Sequence, residues 1–87
     1  MEEILKNFQE VFMKNKPNVR IRILRRQKNF TIKQMAEKCI TTEKAWSDWE
    51  SGKAVPRKIN KKRIARALGV DEKTIFGVPE IYVYLLR

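Results

Sequence analysis

The stretch 30–56, FTIKQMAEKCITTEKAWSDWESGKAVP, predicts two short helices joined by a tight turn. The first helix is predicted at residues 32–39, where apolar residues recur at positions i, i+3, i+4 and i+7 and form one apolar face. Thr31 comes directly before this helix, and Gln34 lies three positions after Thr31. A threonine and a glutamine at this spacing are the pattern of a capping box. We therefore expect a helix with a defined start and one face directed at a core.

The second helix of this stretch is predicted at about residues 43–50. Thr42 can cap its start, and Trp46 and Trp49 give it an apolar face. Gly52 follows the helix and is free to adopt the left-handed conformation that ends many helices. Two helices of this length, each apolar on one face and joined by a short turn, form a helix-turn-helix unit.

The charge is concentrated on both sides of this unit. The 87-residue chain has a net charge of +10, although residues 31–56 contain four cations and four acids. Residues 20–30 contain five cations and no acid, and residues 57–68 contain six cations and no acid. Two acid-free blocks that flank a neutral unit favour contacts with nucleic-acid phosphates over ordinary solvated faces.

The composition argues against several classes of function. With one cysteine and no histidine, the chain has neither a disulfide framework nor a Cys/His zinc site, and we expect no metal and no cofactor. No spacing of nucleophiles or acids indicates a catalytic site, so we expect no enzyme.

Cys39 lies on an apolar helical face and is interpreted as a core residue in a reducing cytosol. No apolar run approaches the about 20 residues of a membrane helix, and the N-terminus does not resemble a signal peptide, so a cytoplasmic protein without a membrane partner is expected.

The whole chain is predicted to be all-α, with three parts. Residues 1–18 form an amphipathic helix and a break, 19–77 form the helix-turn-helix domain with its unit at 31–50, and 78–87 form a short tail. Core packing is the favoured role of the first helix, with a contact to a second copy as the alternative. The tail contains both a helix start and a strand-like run, and we interpret it as a dimer contact.

Three further helices are predicted within the domain. The first covers residues 19–28 and ends at Asn29, which can adopt a left-handed conformation. The second is capped by Asn60 and extends through Leu68. The third covers residues 72–76, with Asp71 as its cap and Gly77 after its end.

Residues of about 20–77 resemble the phage repressor/Cro-like helix-turn-helix family, also called the xenobiotic-response-element type. The residues that carry the resemblance keep the same order and spacing: Ile21, Leu24, Arg25, Phe30, Thr31, Met35, Ala36, Glu37, Lys38, Thr42, Ser47, Trp49, Glu50, Gly52, Lys53, Pro56, the run 64–70, Ile75, Phe76 and Gly77. The resemblance implies a compact five-helix domain, here with an extra N-terminal helix. It also implies a homodimer on a palindromic DNA operator, with one helix of each copy in the major groove.

The resemblance also implies roles for individual residues. The base-reading set is Glu43, Lys44, Ser47 and Asp48. The phosphate-contacting set is Thr31, Lys33, Gln34, Thr42, Lys53, Arg57, Lys58 and Lys61. Arg25 and Glu50 correspond to residues that form a structural ion pair in the family.

The chain departs from the family pattern at several positions. Ile32 replaces a glutamine that contacts a phosphate in the family, and Ile40 replaces the glycine of the turn. Ile40 is strained if that position keeps a positive φ, because β-branched residues rarely adopt it. Glu43 and Asp48 place two acids on a surface that must approach DNA.

We therefore expect a sequence-specific double-stranded DNA-binding transcriptional regulator, a repressor of a prokaryote or a phage. One alternative is a protein-interaction module on the same fold, such as an antitoxin or an adaptor. Another is non-specific nucleic-acid binding through the basic blocks.

Overall fold

The computed structural model describes residues 12–77, and all secondary structure in this range is helical. Five helices follow each other: α1 (Pro17–Gln27), α2 (Ile32–Lys38), α3 (Glu43–Ser51), α4 (Lys58–Leu68) and α5 (Glu72–Phe76). Residues 12–14 are also helical, where the predicted N-terminal helix is expected to end. The all-α prediction is confirmed. The predictions for residues 1–11 and for the tail at 78–87 lie outside the described residues.

The start of α4 differs from the prediction. The helix begins at Lys58, with Arg57 in the N-cap position, so Asn60 lies inside the helix and is not its cap. The physical reason lies in the backbone: the Arg57 carbonyl already accepts the first helical hydrogen bond, from the Lys61 amide at 2.9 Å, so the helix starts without a side-chain cap. Asp71 does occupy the N-cap position of α5, but its side chain makes no capping hydrogen bond there.

The core lies between the helices and contains one large aromatic residue at its centre. Trp46 of α3 is fully buried and packs edge-to-face against Trp49, with ring centroids 6.0 Å apart. The other fully buried side chains come from every described helix or its end: Ile21, Met35, Cys39, Ile64, Leu68 and Ile75. Burial of each large apolar side chain stabilises the fold by about 1.5–3 kcal/mol, which is substantial for so short a chain.

Arg20 is buried in the fold, although the sequence places it among the cations of the first basic block. Its side chain is 4% exposed, and its guanidinium donates to four backbone carbonyls. Two belong to Met13 and Asn15, at 2.6 and 2.8 Å, and two belong to Ile75 and Gly77, both at 2.8 Å. Burial lowers the pKa of Arg20. Arg20 therefore joins the two ends of the described chain and is not part of the cationic surface of that block.

Three helices end in the same hydrogen-bonded turn with different residues at its left-handed position. After α4 this residue is Gly69, with φ 69°. After α1 and α2 it is Asn29 and Ile40, with φ 58° and 55°. In each turn, the amide of the left-handed residue and the next amide donate back to the last helical turn, as in a Schellman motif. The prediction for Asn29 is thus confirmed, and Ile40 has the strained backbone that its sequence position indicated.

None of the helices in residues 12–77 has the length and apolar character that a bilayer-spanning helix needs.

Candidate nucleic-acid interface

The start of α2 is fixed by a reciprocal pair of hydrogen bonds. The Thr31 hydroxyl accepts from the Gln34 amide at 3.1 Å, and the Gln34 side-chain oxygen accepts from the Thr31 amide at 2.8 Å. This is the capping box that the sequence predicts. Both residues are exposed, so the first turn of α2 is a rigid and polar surface.

The turn between α2 and α3 is compact because two amides bond back to α2. The Thr41 amide donates to the Ala36 carbonyl at 2.9 Å, and the Ile40 amide donates to the Glu37 carbonyl at 3.2 Å. Thr42 then caps α3 by accepting from the Ala45 amide at 3.0 Å. The two helices of the predicted unit are therefore held in one arrangement by local hydrogen bonds at every junction.

The inward face of α3 is anchored through Glu50, which is 7% exposed. Its carboxylate accepts from Trp46 Nε1 at 2.9 Å and from Arg25 Nε and Nη2, the latter at 3.3 Å. Arg25 also donates through Nη1 to the Phe30 carbonyl at 2.9 Å. The ion pair that the resemblance implies is thus present, and it links α1, α3 and the entry to α2.

Asn18 adds a second link between α1 and α3. Its side-chain amide donates to the backbone carbonyl of Glu50 at 3.1 Å, near the end of α3. The carbonyls of a last helical turn lack partners within the helix, so this bond satisfies one of them. The end of α3 is therefore fixed by a side chain as well as by Gly52, whose φ is 81°.

The outward face of α3 carries the four residues that are predicted to read bases. Glu43 and Lys44 are exposed, and Ser47 and Asp48 are half-buried, at spacings that place all four on one side of the helix. Lys44 Nζ lies 3.4 Å from Asp48 Oδ2, so the only cation in this set is paired with one of its two acids. The face is consequently polar and has no net positive charge.

The residues that are predicted to contact phosphates are grouped at three places around α2 and α3. Thr31, Lys33 and Gln34 lie on the first turn of α2, and Thr42 lies at the start of α3. The others are in the loop after α3 and on α4: Lys53, Arg57, Lys58 and Lys61. All are exposed except Lys61, which is half-buried with Nζ 5.2 Å from the centre of the Phe76 ring. Lys61 therefore also contacts α5 through a cation–π interaction.

Sequence patterns miss two structural roles, those of Arg20 and Asn18. Arg20 falls within a basic block that indicates a surface, and Asn18 falls within a predicted helix break. The helical spacing could have predicted the burial of Arg20, because positions 20, 21 and 24 share the inward face of α1. A charged residue on an apolar face indicates a buried polar network when backbone carbonyls are available nearby.

Cys39 is a core residue, as predicted. Its side chain is fully buried in the cluster formed by α2, α3 and α4. Burial raises the pKa of the Cys39 thiol to about 11, although nearby Arg63 acts in the opposite direction. Because the thiolate is the reactive form, this thiol is inert at neutral pH. Within residues 12–77, no group of acids and cysteines is arranged to hold a metal ion.

Comparison with known proteins agrees with this geometry. Residues 18–81 match the protein family described as Helix-turn-helix domain. Neither the curated proteins nor the solved structures gave a match. The match covers most of the chain, including every described helix from α1 to α5 apart from the first residue of α1. The chain therefore belongs to the helix-turn-helix domain family, a family of DNA-binding domains.

Proposed function

We propose that this chain is a sequence-specific, double-stranded DNA-binding regulator of transcription. In this proposal it is a repressor of the phage repressor/Cro-like type and reads the major groove with α3. The observation that supports this most directly is the division of α3 into two faces. Trp46, Trp49 and Glu50 anchor one face in the domain, while the other presents four polar side chains to the outside.

The chemistry of the outward face fits base edges. Lys44 can donate to the O6 and N7 acceptors of guanine, and Glu43 or Asp48 can accept from the amino group of cytosine. Ser47 can act as donor or acceptor. Because Lys44 is paired with Asp48, these two residues would read neighbouring positions together, with the acid directing the ammonium group.

Affinity would come from the basic residues around this face. Residues 31–56 are electrically neutral, so phosphates would be bound by cations of the flanking blocks and by helix starts. Each phosphate that is neutralised releases counterions, and binding then weakens steeply as salt rises. Two copies on a palindromic operator would place their α3 helices about one DNA turn apart.

Selection from random duplexes tests the proposal. We expect enrichment of a palindromic sequence whose half-sites are spaced by about one helical turn, bound as a complex of two chains. Recovery of no preferred sequence would contradict sequence-specific binding.

Lys44→Ala tests the base-reading set on the selected duplex. We expect a loss of discrimination of about 1–3 kcal/mol at one or two base positions, because one side-chain donor pair is removed. Lys73→Ala, which removes an exposed cation of α5, is the matched control and should leave the preferred sequence unchanged. An equal loss on all sequences would remove Lys44 from the reading set.

A second candidate function is supported by the same face of α3. Glu43 and the Lys44–Asp48 pair give it a net negative charge, which suits a protein partner better than DNA. In this alternative the chain is an antitoxin or an adaptor with weak DNA binding. Asp48→Ala separates the two, because it should change the preferred bases at one or two positions if the face reads DNA and should leave the preferred sequence unchanged if the face binds protein.

A further inference from the structure

A groove on the side of the domain has apolar walls. Its volume is about 240 Å³, and it lies between the first turn of α1, the loop after α3, and α4 and α5. Seven residues form its apolar walls: Pro17, Ile21, Trp49, Ala54, Val55, Pro56 and Phe76. Since a cavity of about 150 Å³ can hold a benzene ring, the groove has room for an aromatic or branched side chain. Val55 is 78% exposed.

The chain passes the edge of this groove as it leaves the described domain. Phe76 lines the groove, and the carbonyl of the next residue, Gly77, is fixed by Arg20 at 2.8 Å. The residues that follow, VPEIYVYLLR at 78–87, therefore begin at a defined point beside it. Ile81 is four positions beyond Gly77, and an extended chain of that length reaches about 13 Å.

The composition of residues 78–87 is complementary to the groove. Eight of these ten residues are apolar or aromatic, counting Pro79, and only Glu80 and Arg87 are charged. A segment of this kind would present a contiguous apolar surface to water if it packed against nothing. The groove has lysines at its rim, Lys16 and Lys61, which complement the charge of Glu80.

We propose that the groove binds the C-terminal segment 78–87 of the same chain. One or two of its apolar side chains fill the space between Trp49, Val55 and Phe76. The segment of the same chain is favoured over that of a second copy. Because it is covalently attached beside the groove, its effective concentration there is on the order of millimolar. The docked segment covers Val55 and fixes the loop after α3. The proposal does not depend on DNA binding, and its test uses the protein alone.

The test is paramagnetic relaxation in the full chain with a nitroxide at Arg87→Cys. This position leaves the apolar residues of the segment intact, and the buried Cys39 does not compete for the label. We expect the signals of Trp49 and Val55 to lose intensity several-fold. A mixture of nitroxide-labelled chain without ¹⁵N and ¹⁵N chain without nitroxide should show no loss, since the contact is within one chain.

Two variants locate the contact. Val55→Asp places a charge in the groove and should restore the lost intensity at Trp49. Ile59→Asp is the matched control, because Ile59 is also an exposed apolar residue, at 55%, but does not line the groove. It should leave the effect in place.

Three results would overturn the proposal. The first is undiminished intensity at Trp49 and Val55 in the full chain. The second is a loss of intensity in the mixed sample, which would assign the groove to a second copy. The third is a loss of intensity at Trp49 that persists in Val55→Asp.

Discussion

Ile40 holds a backbone conformation that β-branched residues rarely adopt. Its φ is 55°, and its side chain is 76% exposed in the turn between α2 and α3. The left-handed region costs a non-glycine residue about 1–2 kcal/mol, and so exposed a side chain recovers little of that by burial. The hydrogen bonds of the turn and the packing of α2 against α3 hold Ile40 in place.

Ile40→Gly should stabilise the protein. We expect the free energy of unfolding in urea to rise by about 0.5–1 kcal/mol, because relief of the strain exceeds the entropy that glycine adds to the unfolded chain. Asn29→Gly is the control, since Asn29 has φ 58° in the same kind of turn but tolerates it. A gain at Asn29 as large as the gain at Ile40 would contradict the assignment of strain to the isoleucine.

α3 depends on its cap as well as on its packing. The helix has nine residues, and Thr42 satisfies one of the free amides at its start. Thr42→Ala should lower the free energy of unfolding by about 1 kcal/mol, while Thr42→Ser should keep most of the stability because it retains the hydroxyl. Thermal unfolding of the two variants measures the difference. Equal stability of the alanine and serine variants would show that the hydroxyl does not stabilise the helix.

Helices were predictable where side chains set their ends locally. The capping box at Thr31 and the left-handed ends at Asn29 and Gly52 follow from the residue types and agree with the structure. The start of α4 was not predictable in this way, because no side chain caps it. Hydrogen bonds between neighbouring residues can be predicted from short sequence patterns. The burial of a side chain cannot, because it depends on residues that are distant in the sequence.

The candidate site was predictable only in part for the same reason. The helical repeat alone places Glu43, Lys44, Ser47 and Asp48 on one face of α3. The contact of Lys61 with Phe76 joins α4 to α5, and the contacts of Arg20 extend over 55 and 57 positions of sequence. No short sequence pattern predicts either of these contacts.

Arg20 connects the ends of the whole described domain, so its loss should be severe. Arg20→Met keeps a long apolar side chain but leaves four carbonyls without their donor. We expect a loss of at least about 1–3 kcal/mol in the free energy of unfolding, the cost of leaving a buried hydrogen-bonding group without its partner. Arg26→Met is the control, since Arg26 is exposed on the same helix and should change stability by less than about 0.5 kcal/mol. A similar small change at Arg20 would contradict the role proposed for its carbonyl contacts.

In the proposed complex with DNA, the basic blocks would bind phosphates, and Arg57→Ala tests one of these contacts. Arg57→Ala should weaken binding to all duplexes by a similar factor and reduce the slope of log K against log salt by about 0.9, the value for one phosphate contact. Titrations at several salt concentrations measure the slope. An unchanged slope would show that Arg57 contacts no phosphate.

The carbonyls that Arg20 binds come from Met13 and Asn15 at one end of the described chain and from Ile75 and Gly77 at the other. The first and the last residues of the described domain therefore lie close together in space. A domain of this kind can be inserted into a surface loop of a host protein without separating the two halves of that loop. It could equally be cut at the loop after α3 and rejoined through a short linker between residues 77 and 12, as a circular permutant.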